Sequence, residues 1–204
     1  MDLRGGREGK GGLESGQPTR FKTWSGELVD GVPNGVGTAT FPNGDVYVGP
    51  YVNGKRTGKG KYTFANGAVY EGDYMDNVKH GTGTMTYPDK GKYEGAWSQD
   101  KRHGEGTYFY PNGDIYQGGW AGDKKHGKGV YFFKESMSQF CGTWHAGDFR
   151  SGEWVFRDGS GYEGRFHKNK PYGRGTYRFT STGNVLDGVY KPNGEWKTGN
   201  LTSR

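Results

Sequence analysis

Aromatic residues and glycines alternate with polar residues along most of the chain, with a period of two. Tyr93, Gly95 and Trp97 are spaced in this way, and so are Gly104 and Gly106 in the next segment. Residues two apart lie on the same side of a β-strand, so each segment predicts a strand with rings and glycines on one face. No segment shows a useful 3.6-residue apolar period, so we predict an all-β chain without substantial helix.

This pattern repeats about every 23 residues. Each copy has an aromatic-x-Gly-x-aromatic core, and Asn-Gly or Asp-Gly steps between the strands supply the positive φ of tight hairpins. The central glycines are spaced by 23 residues four times, and then by 24, 22 and 24. They are Gly26, Gly49, Gly72, Gly95, Gly118, Gly142, Gly164 and Gly188.

The repeat predicts an elongated, single-layer antiparallel β-meander of hairpins. With roughly 14–16 short strands at ~4.8 Å per strand, the sheet would be about 70 Å long. We assign residues 1–20 to a flexible, polar, glycine-rich N-terminal tail and residues 21–199 to the array. The array would contain about seven repeats and a partial last one, followed by a C-terminal tail at residues 200–204.

Composition explains how such a sheet could be stable. The chain has 41 glycines and 16% aromatic residues, and its net charge is only +6, which argues against disorder. Because glycine has no side chain, a ring from one strand can lie over the bare backbone of its neighbour. We expect this packing to replace the missing aliphatic core, with stability close to a sum over repeats and their interfaces.

The segments YEGAWSQDKRHGEGTYFYPNGDIYQG and YQGGWAGDKKHGKGVYFF resemble MORN repeats. The resemblance covers about residues 24–199. Within that family the chain is most similar to the radial spoke head MORN proteins of motile cilia and flagella, which include radial spoke proteins 1 and 10. Two irregular segments, FFKESMSQFCGTW and GRFHKNKPYGRGTYRF, support that narrower resemblance.

The resemblance implies a non-catalytic structural scaffold of the axonemal radial spoke head that supports ciliary or flagellar motility. Its partners would be other radial spoke head proteins in a large multi-subunit complex, in the cytoskeleton of the cilium or flagellum. The chain has no stretch of ~20 apolar residues and no apolar signal-peptide core, so we expect no stable membrane insertion. A single cysteine, Cys141, fits a reducing intracellular compartment.

Three histidines recur in register, His80, His103 and His126, and could suggest a metal site. Equivalent positions of adjacent repeats are two strands apart, roughly 9.6 Å, which is too far for neighbouring histidines to share one zinc ion. The segment from Gly49 to Lys55 matches most of a phosphate-binding loop. It lacks the final Ser or Thr, and no helix is predicted after it.

Recurring glutamates, Glu71, Glu94 and Glu163, could suggest acid–base chemistry. Each belongs to a different repeat, and no nucleophile, base and orienting group recur with them. We therefore expect no enzyme activity and no catalytic, cofactor-binding or metal-binding residues. No recognised nucleic-acid-binding module is present, so we expect no nucleic acid partner.

Basic residues form one loop column, at Lys55-Arg56, Lys79-His80, Lys101-Arg102 and Lys124-Lys125. Such a column could attract an acidic protein segment or an anionic surface. Surface solubility explains it equally well, because exposed loops are normally charged. The alternative function is therefore a membrane-proximal MORN adaptor that binds anionic phospholipid through these loops.

Two surfaces are candidate protein-binding sites. On the aromatic face, an exposed strip of rings would bind a partner or a second array, unless ring-on-glycine packing satisfies the rings internally; both interpretations stay open. This strip consists of Tyr70, Tyr74, Tyr93, Trp97, Tyr116 and Trp120.

The second surface lies on the opposite face, where one column is spaced by 23 residues throughout. Its first three members are threonines and its next three are apolar, which indicates a local docking patch in repeats four to six, with Phe109 and Phe132 as anchors. Isolated apolar residues on a surface are also common and need no function. The column consists of Thr40, Thr63, Thr86, Phe109, Phe132, Val155 and Arg178.

Overall fold

The computed structural model describes residues 21–202 as a single open β-sheet. No helix occurs in this part of the chain, and consecutive strands other than β4 and β5 pair antiparallel, so the predicted meander is confirmed. The strands are β1 Thr23–Val29, β2 Val32–Thr40, β3 Val46–Val52, β4 Lys55–Arg56, β5 Gly58–Thr63, β6 Val69–Met75, β7 Val78–Thr86, β8 Lys92–Ser98, β9 Lys101–Phe109, β10 Ile115–Ala121, β11 Lys124–Phe133, β12 Ser138–His145, β13 Asp148–Val155, β14 Gly161–His167, β15 Lys170–Arg178, β16 Val185–Tyr190 and β17 Trp196–Thr202.

The strand count and one boundary differ from the prediction. The described residues form 17 strands, because β4 and β5 are two parts of one interrupted strand that both pair with β3. The last strand, β17, runs to Thr202, so residues 200–202 belong to the sheet and not to a C-terminal tail. Residues 1–20, assigned to a flexible tail, lie outside the described residues, as do residues 203–204.

Two kinds of turn close the hairpins. On one side, pairs such as Asp76-Asn77 and Lys168-Asn169 have positive φ at both residues, which is the geometry of a type I′ turn. On the other side, the Pro-Asn-Gly-Asp turns place a glycine at positive φ, and Gly113 donates its backbone N–H to the Tyr110 carbonyl at 2.9 Å. Both turn types favour right-handed strand twist and keep the hairpins in register.

A β-bulge follows the central glycine in most copies. The register shifts between Gly72 and Tyr74, and the same shift recurs between Gly95 and Trp97. Bulges bend a strand and increase its twist. The sheet therefore bends along the line of glycines, and two faces result: an aromatic face, toward which the rings point, and an outer face.

On the aromatic face one tyrosine in each of five copies lies over two glycines of paired strands; these are Tyr47, Tyr70, Tyr93, Tyr116 and Tyr162. Tyr93 crosses Gly95 and Gly106, and its hydroxyl donates to the Ala96 carbonyl at 2.9 Å. Its ring meets the ring of Trp97 edge to face, with centroids 5.2 Å apart. The Trp120 indole of the next repeat packs against the other side of the Tyr93 ring, with centroids 5.3 Å apart. It donates its Nε1–H to the Gly106 carbonyl.

This packing buries the aromatic side chains, so the prediction of an exposed aromatic strip is wrong. Each of its six side chains is at most 5% exposed, because rings, glycines and long basic side chains enclose it. The alternative interpretation, in which ring-on-glycine packing satisfies the rings internally, is confirmed. The strip members and their exposed fractions are Tyr70 0%, Tyr74 5%, Tyr93 0%, Trp97 4%, Tyr116 0% and Trp120 5%.

The substitution Gly106→Ala tests this packing, because the new Cβ would lie inside the contact radius of the Tyr93 ring. Overpacking of this kind costs about 1–3 kcal/mol, and we expect that loss of unfolding free energy in chemical denaturation. The control is Thr107→Ala, one residue away on the outer face, which should cost clearly less. Equal losses for both variants would contradict close ring-on-glycine packing.

Candidate functional site

The aromatic face is closed by one cation of each basic pair. Arg102 is 5% exposed, and its guanidinium carbon lies 4.6 Å from the centroid of the Trp120 ring and 5.4 Å from that of Tyr108. Its Nε also donates to the Asp123 carboxylate at 3.1 Å. The positions that lie over rings in this way are 23 residues apart: Arg56, Lys79, Arg102 and Lys125.

The two lysines of this set are half-buried, as Arg56 is. The Lys125 ammonium is 4.6 Å from the centroids of both Tyr131 and Trp144. Burial lowers the pKa of Lys125 to about 8, because the ammonium loses its water, and it lowers the pKa of Lys79 for the same reason. The interpretation of the basic column as solvent-exposed loops is therefore wrong for the inward residue of each pair. Lys55, Lys101 and Lys124 are the exposed members.

An aromatic residue replaces the cation in the next repeat. Phe149 follows Lys125 by 24 residues, because the repeat contains one extra residue, and it pairs with Trp144 as Lys125 pairs with Trp120. Its ring is fully buried and stacks on Phe140, with centroids 4.6 Å apart and planes 7° apart. The sequence interpretation missed this position, although the lengthened spacing was the available signal.

The Pro-Asn-Gly-Asp motif buries a carboxylate at two turns. Asp45 accepts the Tyr62 hydroxyl at 2.7 Å and the Ala65 N–H at 2.8 Å. Asp114 is bound in the same way by the Tyr131 hydroxyl at 2.8 Å. These carboxylates anchor each turn to the following hairpin, which is a structural role.

The histidine, glutamate and cysteine candidates show no catalytic arrangement. Within residues 21–202, no group of three or more His, Cys, Asp or Glu side chains could hold a metal ion. The rings of His126 and His145 lie next to each other, with centroids 5.1 Å apart. Cys141 is half-buried, and burial raises the pKa of its thiol, which makes it less reactive.

The recurring glutamates form surface ion pairs. Glu94 pairs with Lys92 at 2.8 Å, and Glu163 pairs with Arg178 at 2.7 Å. Glu71 pairs with Lys61 across β5 and β6. All are well exposed, so each pair adds little to stability, and the hypothesis of paired catalytic carboxylates finds no support in their geometry.

The predicted docking patch lies on the outer face and is partly open. Phe109 and Phe132 flank Ile115 as its cross-strand neighbours, so three apolar side chains stand side by side on β9, β10 and β11. All three are half-buried, and the Lys92 ammonium lies 4.7 Å from the centroid of the Phe109 ring. We call Phe109, Ile115 and Phe132 the apolar patch. Val155 lies two strands further along the same row, beyond Gln139.

The sequence interpretation missed Ile115, because it followed one column and not the strand beside it. It also missed apolar residues on the outer face of the first repeats. Val36 is 72% exposed and pairs with Pro50, and Val48 is 45% exposed. The threonines of those repeats therefore do not make their outer face wholly polar.

A family model described as MORN repeat matches six segments of the chain, which together cover more than half of it. They are residues 24–46, 47–69, 70–92, 93–115, 116–136 and 162–183. A search of curated proteins gave no significant match.

Three solved structures show a likeness to the chain. The Drosophila melanogaster SAS-4 (dCPAP) TCP domain in complex with a proline-rich motif of Ana2 (dSTIL) is 15% identical, covers 81% of this chain and 84% of its own, and has a TM-score of 0.42. The TCP10c domain of D. melanogaster Sas-4 is 12% identical over 81% and 93% of the two chains, with a TM-score of 0.34. The Danio rerio CPAP TCP10 domain in complex with a STIL peptide is 17% identical over 89% and 100%, with a TM-score of 0.33.

In the part of the chain that the structure describes, no helix is long and apolar enough to cross a membrane.

The substitution Arg102→Ala tests the covering role of the inward cations. It removes the cation–π contacts and the hydrogen bonds to Asp123, and we expect a loss of about 2–4 kcal/mol in unfolding free energy. The control, Lys101→Ala, removes the exposed neighbour and should change stability by less than about 0.5 kcal/mol. Similar denaturation midpoints for the two variants would show that Arg102 is not part of the core.

Proposed function

This chain belongs to the MORN repeat family, and from that premise we propose that it is a non-catalytic scaffold that binds other proteins. The family is one of repeat scaffolds and not of enzymes. The matched repeats occupy most of the described chain, and the rings that could have formed an exposed apolar strip are buried within the sheet's own packing. The outer face is therefore the surface available for partners.

The apolar patch is the observation that carries this proposal. Phe109, Ile115 and Phe132 form a continuous apolar surface across three strands, whereas a threonine occupies the equivalent position of Phe109 in the first three repeats. Large apolar side chains that stay partly open on a sheet are typical of a protein interface. Aromatic anchors at the centre of a patch carry much of the energy of such contacts.

The finer part of the proposal is a structural role in the axonemal radial spoke head of motile cilia or flagella. The partners would be other spoke-head proteins, and the location would be the ciliary cytoskeleton. Support comes from the sequence resemblance, in particular the extra residue in FFKESMSQFCGTW and the segment GRFHKNKPYGRGTYRF.

The alternative, a membrane-proximal adaptor for anionic phospholipid, loses support. It requires the basic column to face a lipid surface, yet one cation of each pair lies over the rings of the aromatic face. The remaining charges are too sparse for a polybasic anchor, which needs several clustered cations.

Phe109→Thr combined with Phe132→Thr tests the apolar patch. Threonine occupies this column in the first three repeats and suits an exposed strand position, so the double variant should fold. We expect it to lose at least about tenfold of its capture of partner proteins, as two anchors of about 1–2 kcal/mol each would give. The measurement is affinity purification from ciliary axonemes with the tagged chain, followed by mass spectrometry.

The matched control is Thr63→Ser combined with Thr86→Ser in the same column, which should capture as much as the unaltered chain. Undiminished capture by the phenylalanine variant, at an unchanged melting temperature, would contradict a role for the apolar patch. Captured proteins that do not belong to the spoke head would contradict the radial spoke assignment and leave the scaffold role intact.

A further inference from the structure

Two arginines stand beside each other on the outer face of the late repeats. Arg165 lies in β14 directly after the central Gly164, and Arg174 lies in β15 directly before Gly175, which pairs with Gly164. The register shifts after Gly164, so that Tyr172 is the cross-strand partner of Arg165 and Arg174 lies in the bulge of β15. Both side chains are exposed. We call Arg165 and Arg174 the arginine pair.

At the equivalent bulge of the third repeat the two corresponding side chains are in contact, which indicates that Arg165 and Arg174 are close neighbours. In the third repeat the two positions are Asp73 and Thr82, and the threonine hydroxyl donates to the carboxylate at 3.0 Å. Asp73 is also bound by Lys59 from the preceding strand at 3.1 Å. Further along, Lys128 donates to the Thr143 hydroxyl at 3.2 Å. In these two places the polar outward residues next to the central glycines therefore bond to one another.

The arginine pair breaks that pattern. Neither guanidinium forms an ion pair or a hydrogen bond within residues 21–202, whereas Arg178 on the same strand as Arg174 binds Glu163, and Arg150 nearby binds Asp148. Like charges at neighbouring positions of paired strands repel each other. A bound anion would remove that repulsion, and the planar fork of arginine matches a carboxylate or a phosphate.

The surroundings fit a narrow acidic ligand. Ser151 is the cross-strand neighbour of Arg165 and offers a hydroxyl, and Tyr172, opposite Arg165 on β15, is 51% exposed. Acidic residues occupy three positions of the adjacent outward row, on β13, β14 and β16. This row lies two residues along the strands from the row that contains the arginine pair. The acidic residues are Glu153, Glu163 and Asp187.

We propose that the arginine pair binds the carboxylates of an acidic segment of a partner protein. The segment would run across the strands along the row of Lys128, Ser151, Arg165 and Arg174, with strands ~4.8 Å apart. A flat anionic membrane would instead also meet the adjacent acidic row, which lies only ~7 Å away at ~3.3 Å per residue. The inference rests on the proposed scaffold function and names the chemistry of one partner.

The experiment uses the full chain and a fluorescein-labelled peptide with six consecutive glutamates. Binding is measured by fluorescence anisotropy at about 0.15 M ionic strength. We expect saturable binding, and at least about tenfold weaker binding for Arg165→Gln combined with Arg174→Gln, because each guanidinium supplies charge-assisted hydrogen bonds. The same variant should melt no lower than the unaltered chain, since the repulsion between the arginines is gone.

The matched control is Lys101→Gln combined with Lys124→Gln, which changes the net charge equally at exposed positions. It should bind the peptide within about twofold of the unaltered chain, since screened charges far from the site add little. An equal loss in both double variants would overturn the proposal in favour of general charge attraction, and so would equal binding of a hexaglutamine peptide. No peptide binding, or arginine-dependent binding only to phosphatidylserine vesicles, would overturn it as well.

These outcomes are separate from the capture of partners by the apolar patch. Peptide binding without axonemal partners would sustain the arginine site and contradict the scaffold function. If the arginine variant still captures axonemal partners and the unaltered chain does not bind the peptide, the scaffold function is sustained and the arginine site is contradicted.

Discussion

The contact between a tyrosine ring and the bare backbone of two paired glycines is the interaction on which this molecule depends. A single-layer sheet has no second layer to cover its apolar face, and few aliphatic residues are present to build one. The ring of Tyr93 covers two strands at once, at Gly95 and Gly106, because neither has a Cβ. The glycines must therefore recur on both strands of each hairpin, once in every copy of the repeat.

The rest of the aromatic face completes that contact. Indole rings meet the tyrosines edge to face and donate to glycine carbonyls, and a long cation or Phe149 closes the remaining side. Each repeat thus contacts only its neighbours, as in other solenoids. Most of the aromatic side chains are buried in this way. The differences between repeats that could specify partners therefore lie on the outer face, at the apolar patch and the arginine pair.

Much of this arrangement could be predicted from the sequence, because the relevant signals are local. The alternation of Tyr93, Gly95 and Trp97 predicts the strand and the face, and the spacing of the glycines predicts the meander. The role of Arg102 could not be predicted while its segment was interpreted as a loop. In the structure β9 already begins at Lys101, and strict alternation from Gly106 back to Arg102 points the guanidinium at the rings.

Whether a side chain is buried was harder to predict than the face of the sheet to which it points. Alternation assigns a side chain to a face, but the cover of that face comes from the next repeat, through contacts such as that of Tyr93 with Trp120. Ile115 was missed for a related reason, since its neighbours Phe109 and Phe132 belong to two other strands. Both errors concern contacts between strands, which a search along one column does not reveal.

Hydroxyl-radical footprinting of the free chain and of the chain with captured partners tests the central claim most directly, because it measures the accessibility of each ring. The account predicts that Tyr70, Tyr93 and Tyr116 are protected in both states, since their side chains have no exposed surface. Phe109 and Phe132 should react in the free chain and become protected in the complex. Tyrosines that react strongly in the free chain and are protected only by partners would contradict the claim that the aromatic face is a closed core.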